Sequence, residues 1–339
     1  MRLKDLGEFG IINRISKKIK LRSKNIIVGI GDDCAAFKIS GRRGKNIVLF
    51  TSDILIERVH FTLDTASDYQ IGWKAMASSI SDIAAMAGIP KYAVISIGLK
   101  DSTQVSFIDG IYKGIEACCG KYNVTIVGGD TVSSPCCIVI NVSLIGEVEE
   151  KNLVRRNGAN PGDGIFVTGF LGDASLGFEC LKRNRKNIKA GKIISRFLTP
   201  VPRVREARAL VESCRVTSMI DISDGLANEI NHVARESKVG AVIYQDRLPF
   251  SGFFTDVAGK LKVNPVKLAL YGGEDYELLF TADKKNIDKV SEKIKKETGT
   301  RITLIGEIVK KKFGVKIINR AGKGEKLEPK AFEHFKKNR

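Results

Sequence analysis

The feature that most restricts this chain is an alternation: apolar runs rich in β-branched residues give way repeatedly to longer segments of helical period. Interleaving of this kind predicts an α/β or α+β protein. The expected strands are residues 46–50, 92–99, 124–127, 138–145, 165–168, 241–244 and 276–281, most with a glycine or an aspartate at one end. Residues 68–87 read as a helix, with Asp68 as a candidate cap and Ile80, Ile83 and Met86 at helical spacing. Residues 283–296 read as another, with Ile287, Val290 and Ile294 on one face.

A chain of 339 residues, 43% of them hydrophobic, can bury a sizeable core and by length should form about two domains. The segment NLVRRNGANPGDG (152–164) concentrates Asn, Gly and Pro between two apolar runs, so the expected division is 1–150 and 151–339. A short internal echo accompanies it: VSLIGEVEE at 142–150 resembles ITLIGEIVK at 302–310. It is too short to establish a duplication.

Composition narrows the class. MRLKDLGEFG is charged and lacks the apolar core of a signal peptide, and no stretch of about 18 uncharged apolar residues occurs, so the expected location is the cytoplasm, with no membrane partner. The seven cysteines, at 34, 118, 119, 136, 137, 180 and 214, show no CxxC spacing and read as reduced, mostly buried small hydrophobes. Three widely spaced histidines, His60, His232 and His334, argue against zinc. The net charge of +18 raises the question of nucleic acid. The densest basic run, 181–196, carries seven basic residues but no interleaved aromatic ring, so no specific nucleic-acid partner is expected. A positive field that draws in anionic substrates is the remaining use of the charge.

The familiar nucleotide signatures GxxxxGK[ST], GxGxxG and HRD are missing. What recurs instead is aspartate where an apolar run gives way to small residues: GIGDDCA (29–35), LFTSDI (49–54), IVGGDT (126–131) and MIDISDGL (219–226). One such aspartate is ordinarily a turn residue or a helix cap. Several that converge would repel, since two charges about 4 Å apart interact by roughly 4 kcal/mol at an effective dielectric of about 20, unless cations bridge them. Hard oxygen ligands select magnesium or manganese, so the recurrence points to polyphosphate chemistry. Thr51 and Ser52 beside Asp53 read as a hard-ligand loop at a strand end. Asp82, inside SSISDIAAMAG, has few polar neighbours and is either an exposed helix residue or a charge that needs a partner or a metal.

These segments, in this order, resemble the thiamine-monophosphate kinases, of the aminoimidazole-ribonucleotide-synthetase-like (PurM-like) superfamily. The resemblance runs through GEFGII (7–12), GIGDDCA, TSD followed by VHF (59–61), SDIAAMAG (81–88), VGGDT, RRNGANPGD and VTGFLGDAS (167–175). It continues with DISDGL (221–226), LYGGEDYELLF (270–280) and AFEHF (331–335). Each motif is weak alone; their ordered combination is specific.

The resemblance implies a two-domain PurM-like fold: an N-terminal ferredoxin-like α/β domain that dimerises, followed by a C-terminal α/β domain. It implies a kinase that passes the γ-phosphoryl group of ATP to thiamine monophosphate, giving thiamine diphosphate and ADP. By position, Asp33, Thr51, Ser52, Asp53, Asp82, Asp130, Asp221 and Asp224 would hold several Mg²⁺ ions, with Asp33, Asp53 and Asp130 as the catalytic carboxylates. ATP would lie against Tyr112, Gly129, Asp130, Arg156 and Ser223, and the acceptor against His60, Glu274 and Phe332. A homodimer with ATP sites near the subunit junction is implied as well. His60 reads equally as a structural histidine.

Two departures stand out. Thr51-Ser52-Asp53 replaces the family's common Ser-Thr-Asp and keeps both hydroxyls; Arg58 stands where glycine is usual before Val-His-Phe. Related enzymes of the superfamily, aminoimidazole ribonucleotide synthetase, selenophosphate synthetase and hydrogenase-maturation dehydratases, bind ATP on the same scaffold with other acceptors. GGEDYEL and the TSD/VHF pairing favour the thiamine enzymes, and no N-terminal Cys-Gly motif of the selenophosphate type occurs.

Overall fold

A computed structural model describes residues 3–39, 46–183, 190–285 and 287–330. The first half of the chain forms helices α1 (Leu3–Ser16), α2 (Asp68–Ala85) and α3 (Val105–Tyr122) with strands β1 (Ile26–Val28), β2 (Ala35–Phe37), β3 (Asn46–Ile56), β4 (Ile89–Leu99), β5 (Thr125–Ser133) and β6 (Val139–Glu149). These strands make one six-stranded mixed sheet in the order β1-β2-β3-β6-β4-β5. The second half adds β7 (Gly164–Thr168), β8 (Val216–Asp221), β9 (Gly240–Tyr244), β10 (Leu278–Ala282), β11 (Ile302–Val309), β12 (Val315–Ile318) and β13 (Gly324–Lys326). Their sheet runs β13-β12-β9-β11-β7-β10-β8. Helices α4 (Asp173–Lys182), α5 (Gly191–Leu198), α6 (Val204–Ser213), α7 (Leu226–Ser237), α8 (Phe254–Leu261), α9 (Pro265–Tyr271) and α10 (Ile287–Thr298) complete it. The echoed segments 142–150 and 302–310 fall on β6 and β11, each an interior strand of its sheet.

Strand periodicity explains the two layers. In β10, Leu278 and Phe280 join the core that contains α2, while Leu279 between them joins the core under α7. Phe166 in β7 likewise faces the α2 side, and Ile165 and Val167 the other. A sheet covered on both faces needs continuous apolar runs rather than alternation, as these strands have. The first sheet differs. Its α2 side carries Ile47, Leu49 and Leu55, all buried, whereas Phe50, Ile54, Tyr92, Val94 and Ile145 on the opposite face are exposed.

α2 lies between the two sheets. Its Met76, Ile80 and Ile83 share one buried core with Phe166, Met219 and Phe280 of the second sheet. Its N-cap is Ser67 rather than Asp68: the Ser67 hydroxyl accepts from the Gln70 amide, and the Gln70 side chain accepts from the Ser67 amide.

Two expected strand ends are in fact strand interiors. β3 continues through Thr51-Ser52-Asp53 to Ile56, paired with β6 along its whole length, so the expected hard-ligand loop is extended backbone. β5 runs through Gly128, Gly129 and Asp130: a bulge between the Ala93–Ile126 and Val94–Gly128 pairs leaves Val127 unpaired, and pairing resumes at the glycines. A Cβ on Gly129 would come 2.1 Å from the Ile95 carbonyl oxygen, which is why glycine stands there without ending the strand. Among the described residues no helix is long and apolar enough to cross a membrane. All seven cysteines are free; Cys34, Cys118, Cys119 and Cys180 are buried, and Cys136 is exposed. The basic run 181–196 is described only outside 184–189.

Candidate active site

A helix buried nearly all round has to find partners for its polar side chains. α2 finds them on both sides of the seam. Towards β3, the Ser79 hydroxyl donates to Asp53 Oδ2 at 3.0 Å, and Asp82 Oδ2 accepts from Thr51 Oγ1 at 2.5 Å. Towards β8, the Ser81 hydroxyl donates to Asp221 Oδ2 at 2.6 Å. Two turns earlier, Lys74 Nζ lies 2.6 Å from Glu274 Oε1. Thr51 and Asp53 reach α2 together because alternate residues of a strand share a face, and Ser52 between them points the other way.

Three carboxylates meet where α2, β8 and the turn before β2 come together. Asp33, Asp82 and Asp221 each offer an oxygen within 4.8 Å of the others. Asp82 is therefore no exposed helix aspartate. Burial raises its carboxyl well above the ordinary range, reinforced by Asp53, Asp221 and Asp33. Burial, with Asp33 next, pushes Asp221 up to about 8, and burial also raises Asp53. Asp32 is pushed up to about 6 by burial and by Asp33. Among the described residues the cation that pairs with them is Arg156, whose Nη2 donates to Asp33 Oδ1 at 2.7 Å and whose amide lies 3.3 Å from Asp32 Oδ2.

Whether a divalent cation fits is answered by two orphans. Asp33 Oδ2 and Arg156 Nε are buried with no hydrogen-bond partner among the described residues. An acceptor without a hydrogen bond beside two more carboxylates suits a hard cation, and a guanidinium donor without one, 3.9 Å from Asp32 Oδ1, suits an anionic oxygen. Asp32, Asp33, Thr51, Arg156, Ser223 and Asp224 line a cavity of about 710 Å³.

The other end of the seam is set by the segment 272–277. Gly273 (φ 70) and Glu274 (φ 58) lie in the left-handed region, and a Cβ on Gly273 would come 2.6 Å from the Ser223 carbonyl. The Glu274 amide donates to that same carbonyl at 2.6 Å, and the Tyr276 amide to Ile222 O at 2.9 Å. The two motifs GGEDYEL and DISDGL thus brace each other. His60 stands nearby: its Nδ1 accepts from the Ile56 amide at 3.0 Å, and its carbonyl is 3.5 Å from Lys74 Nζ.

The family described as AIR synthase related protein, N-terminal domain, matches residues 31–148, and its C-terminal domain counterpart matches 160–318. A thiamine-monophosphate kinase of Aquifex aeolicus (strain VF5) is 36% identical over 99% of this chain and 100% of its own length. The chain belongs to the thiamine-monophosphate kinase family. The family's Bacillus subtilis (strain 168) member is 34% identical over 98% of this chain and 100% of its own. A solved structure described as "AaThiL complexed with AMPPCP and TMP" superposes with a TM-score of 0.83 at 36% identity, covering 98% of this chain and 99% of that one. The mixed α/β, PurM-like fold is common to them.

Of the residues the thiamine-monophosphate kinase family implies, the structure gathers Asp33, Thr51, Asp53, Asp82, Asp221 and Arg156 at one end of the seam and His60 with Glu274 at the other. Ser223 and Asp224 line the cavity, and the Asp224 amide donates to Glu229 Oε1 at 3.0 Å. Ser52 lines the same cavity, and its hydroxyl meets Asn141 and Ser143 on the face of the sheet away from α2. Asp130 is exposed on edge strand β5, in register with Ser96 and three strands from β3, or ~14 Å at ordinary strand spacing. Gly129 is its neighbour, and Tyr112 packs on α3 against the α2 core. Phe332 and the rest of AFEHF lie outside the described residues.

Sequence reasoning missed Lys74, Ser79, Ser81, Asp32 and Glu229. The serines and Lys74 carry a faint signal: polar residues on a helix of otherwise buried residues, spaced along the face that carries Asp82.

Proposed function

We propose that this protein transfers the γ-phosphoryl group of ATP to the phosphate of thiamine monophosphate, giving thiamine diphosphate and ADP. The observation that carries the reading is the convergence of Asp33, Asp82 and Asp221 within 4.8 Å across the seam of a chain related over its full length to thiamine-monophosphate kinases. Asp33, Asp53, Asp82 and Asp221 would hold Mg²⁺, which when bound supplies charge neutralisation for crowded phosphate oxygens.

The chain's own groups then orient two anions. Arg156, whose Nε makes no hydrogen bond among the described residues and whose Nη2 donates to Asp33, would hold a phosphate oxygen at the mouth of the acidic cluster. Glu274 and His60 would receive the acceptor's organic portion, some two helical turns along α2 from Asp82. Phosphoryl transfer through a loose transition state asks mainly for such positioning, so no strong base is required and no phospho-enzyme is invoked.

We further infer a homodimer and a cytoplasmic protein divided into units 1–150 and 151–339. The uncovered face of the first sheet, with Phe50, Ile54, Tyr92, Val94 and Ile145 exposed, supports pairing of two copies there. Gly129 and Asp130 lie at the far edge of that sheet, so a nucleotide site at the subunit junction accounts for their distance from the buried carboxylates. Purified protein with ATP, MgCl₂ and thiamine monophosphate should yield equimolar thiamine diphosphate and ADP. No product across a range of metal and salt concentrations removes the substrate assignment.

A further inference from the structure

Lys74 is the most enclosed lysine of the seam. Its side chain is 4% exposed, and its ammonium is 2.6 Å from Glu274 Oε1, 3.5 Å from the His60 carbonyl and 3.9 Å from the centroid of the Phe197 ring. Burying an ammonium costs several kcal/mol, and ion pairs of this kind are commonly no more stabilising than apolar residues of the same shape. Beside it the chain also tolerates a non-glycine residue, Glu274, at φ 58. A buried charge and a strained backbone at one point indicate that stability has been given up to fix a side chain.

The side chain so fixed is that of Glu274. Its side chain is 29% exposed, so part of it reaches solvent while Oε1 is tied down by Lys74. Among the described residues no other protein group pairs with it. Lys74 itself is too enclosed, by Glu274, His60 and Phe197, to be the first group an incoming ligand meets.

We propose that Lys74 is a positioning residue for the acceptor: by holding Glu274 Oε1 it aims Oε2 into the cleft, where that oxygen accepts hydrogen bonds from the amino-heterocycle of thiamine monophosphate. The proposal rests on the reading of Glu274 as an acceptor-binding residue, and it extends that reading to a residue that touches no substrate. Since α2 also carries Ser81 and Asp82, seven and eight residues on and ~11–12 Å away along the axis, the same helix spaces the heterocycle end from the phosphate end.

A double-mutant cycle on the full chain tests this. Lys74→Met and Lys74→Gln should each raise KM for thiamine monophosphate about 10-fold, equivalent to about 1.4 kcal/mol, with KM for ATP unchanged. Glu274→Gln should do the same, and adding Lys74→Met to Glu274→Gln should cost nothing further, because the residue Lys74 acts through is already neutral. Lys74→Arg should stay near wild type. Thermal melting of each variant identifies any that is misfolded, and the methionine and glutamine variants serve as alternates for each other. Effects that add fully in the double variant, fall on ATP or kcat instead, or are absent overturn the proposal. A wild-type protein that makes no thiamine diphosphate would instead overturn the functional assignment, and isothermal titration with thiamine monophosphate would then show whether the Lys74–Glu274 coupling persists in binding alone.

Discussion

The Ser81 hydroxyl, on the helix that covers the first sheet, donates to the carboxylate of Asp221 at the end of a strand in the second, 2.6 Å away. This single bond crosses the seam 140 residues apart in sequence and orients one of the three converging carboxylates. Ser81→Ala should leave the fold intact while raising the Mg²⁺ concentration needed for half-maximal turnover by about 10- to 100-fold, the usual effect of removing a group that orients a metal ligand. A magnesium titration at saturating ATP checks it; an unchanged requirement separates Asp221 from metal binding.

Asp82 should show function opposed to stability. Its charge is raised in energy by burial and by Asp53, Asp221 and Asp33. Asp82→Asn should abolish turnover yet raise stability in EDTA by about 2 kcal/mol, a fraction of the repulsion between carboxylates in partly hydrated protein. Mg²⁺ should then raise the melting temperature of wild type and not of the variant. A variant that is less stable in EDTA would show that hydrogen bonding to Thr51 outweighs repulsion.

Arg58 explains why glycine is usual at its position. Its φ is 68, in the region that costs a side-chain-bearing residue roughly 1–2 kcal/mol. The side chain is 78% exposed and approaches Glu57 only at 3.9 Å. Arg58→Gly should therefore stabilise the protein by about 0.5–1 kcal/mol, after the entropy of the more flexible unfolded chain is subtracted, with KM for both substrates unchanged. A chemical-denaturation midpoint that falls would assign the arginine a structural contact.

Acid should weaken the tie between the end of β6 and α6. Arg208 holds Glu149 through two hydrogen bonds, 2.7 and 3.0 Å, and lowers its carboxyl to about 2 from 4.5. A folded-state value below the unfolded one means stability that is fully present above about 4.5 and lost as pH falls through about 2. Glu149 is 38% exposed, so solvent screening limits the contribution to about 1 kcal/mol or less. The stability gap between wild type and Glu149→Gln should shrink as unfolding is measured from pH 6 down to pH 3; a constant gap would mean the pair contributes no charge-dependent stability.

How much of this could be read beforehand depended on whether the information was local. The aspartates announce themselves by the glycines and strands around them, and Asp33, Asp53, Asp82 and Asp221 do converge. The strands expected to end at Phe50 and Val127 run on through Asp53 and Asp130: glycine and aspartate ordinarily stop a strand, but full-length pairing with β6 and a bulge against β4 carry these two on. The early stop hid the opposite facing of Ser52, since a two-residue period has meaning only once the segment is known to be extended. Lys74 and Ser81 show in the sequence only as polar residues on a buried helix, because their partners, Glu274 and Asp221, arrive from 200 and 140 residues away. Only the packing of α2 between the sheets defines them.

That packing has a mechanical corollary. Lys74, proposed to position the group for the heterocycle, and Asp82, proposed for the metal, ride on a single rigid rod, clamped by one sheet on each side. Any tilt or slide of the rod that widens the gap at Asp82 must also carry Lys74 along, so the two ends of the catalytic cleft are geared to each other and cannot loosen independently.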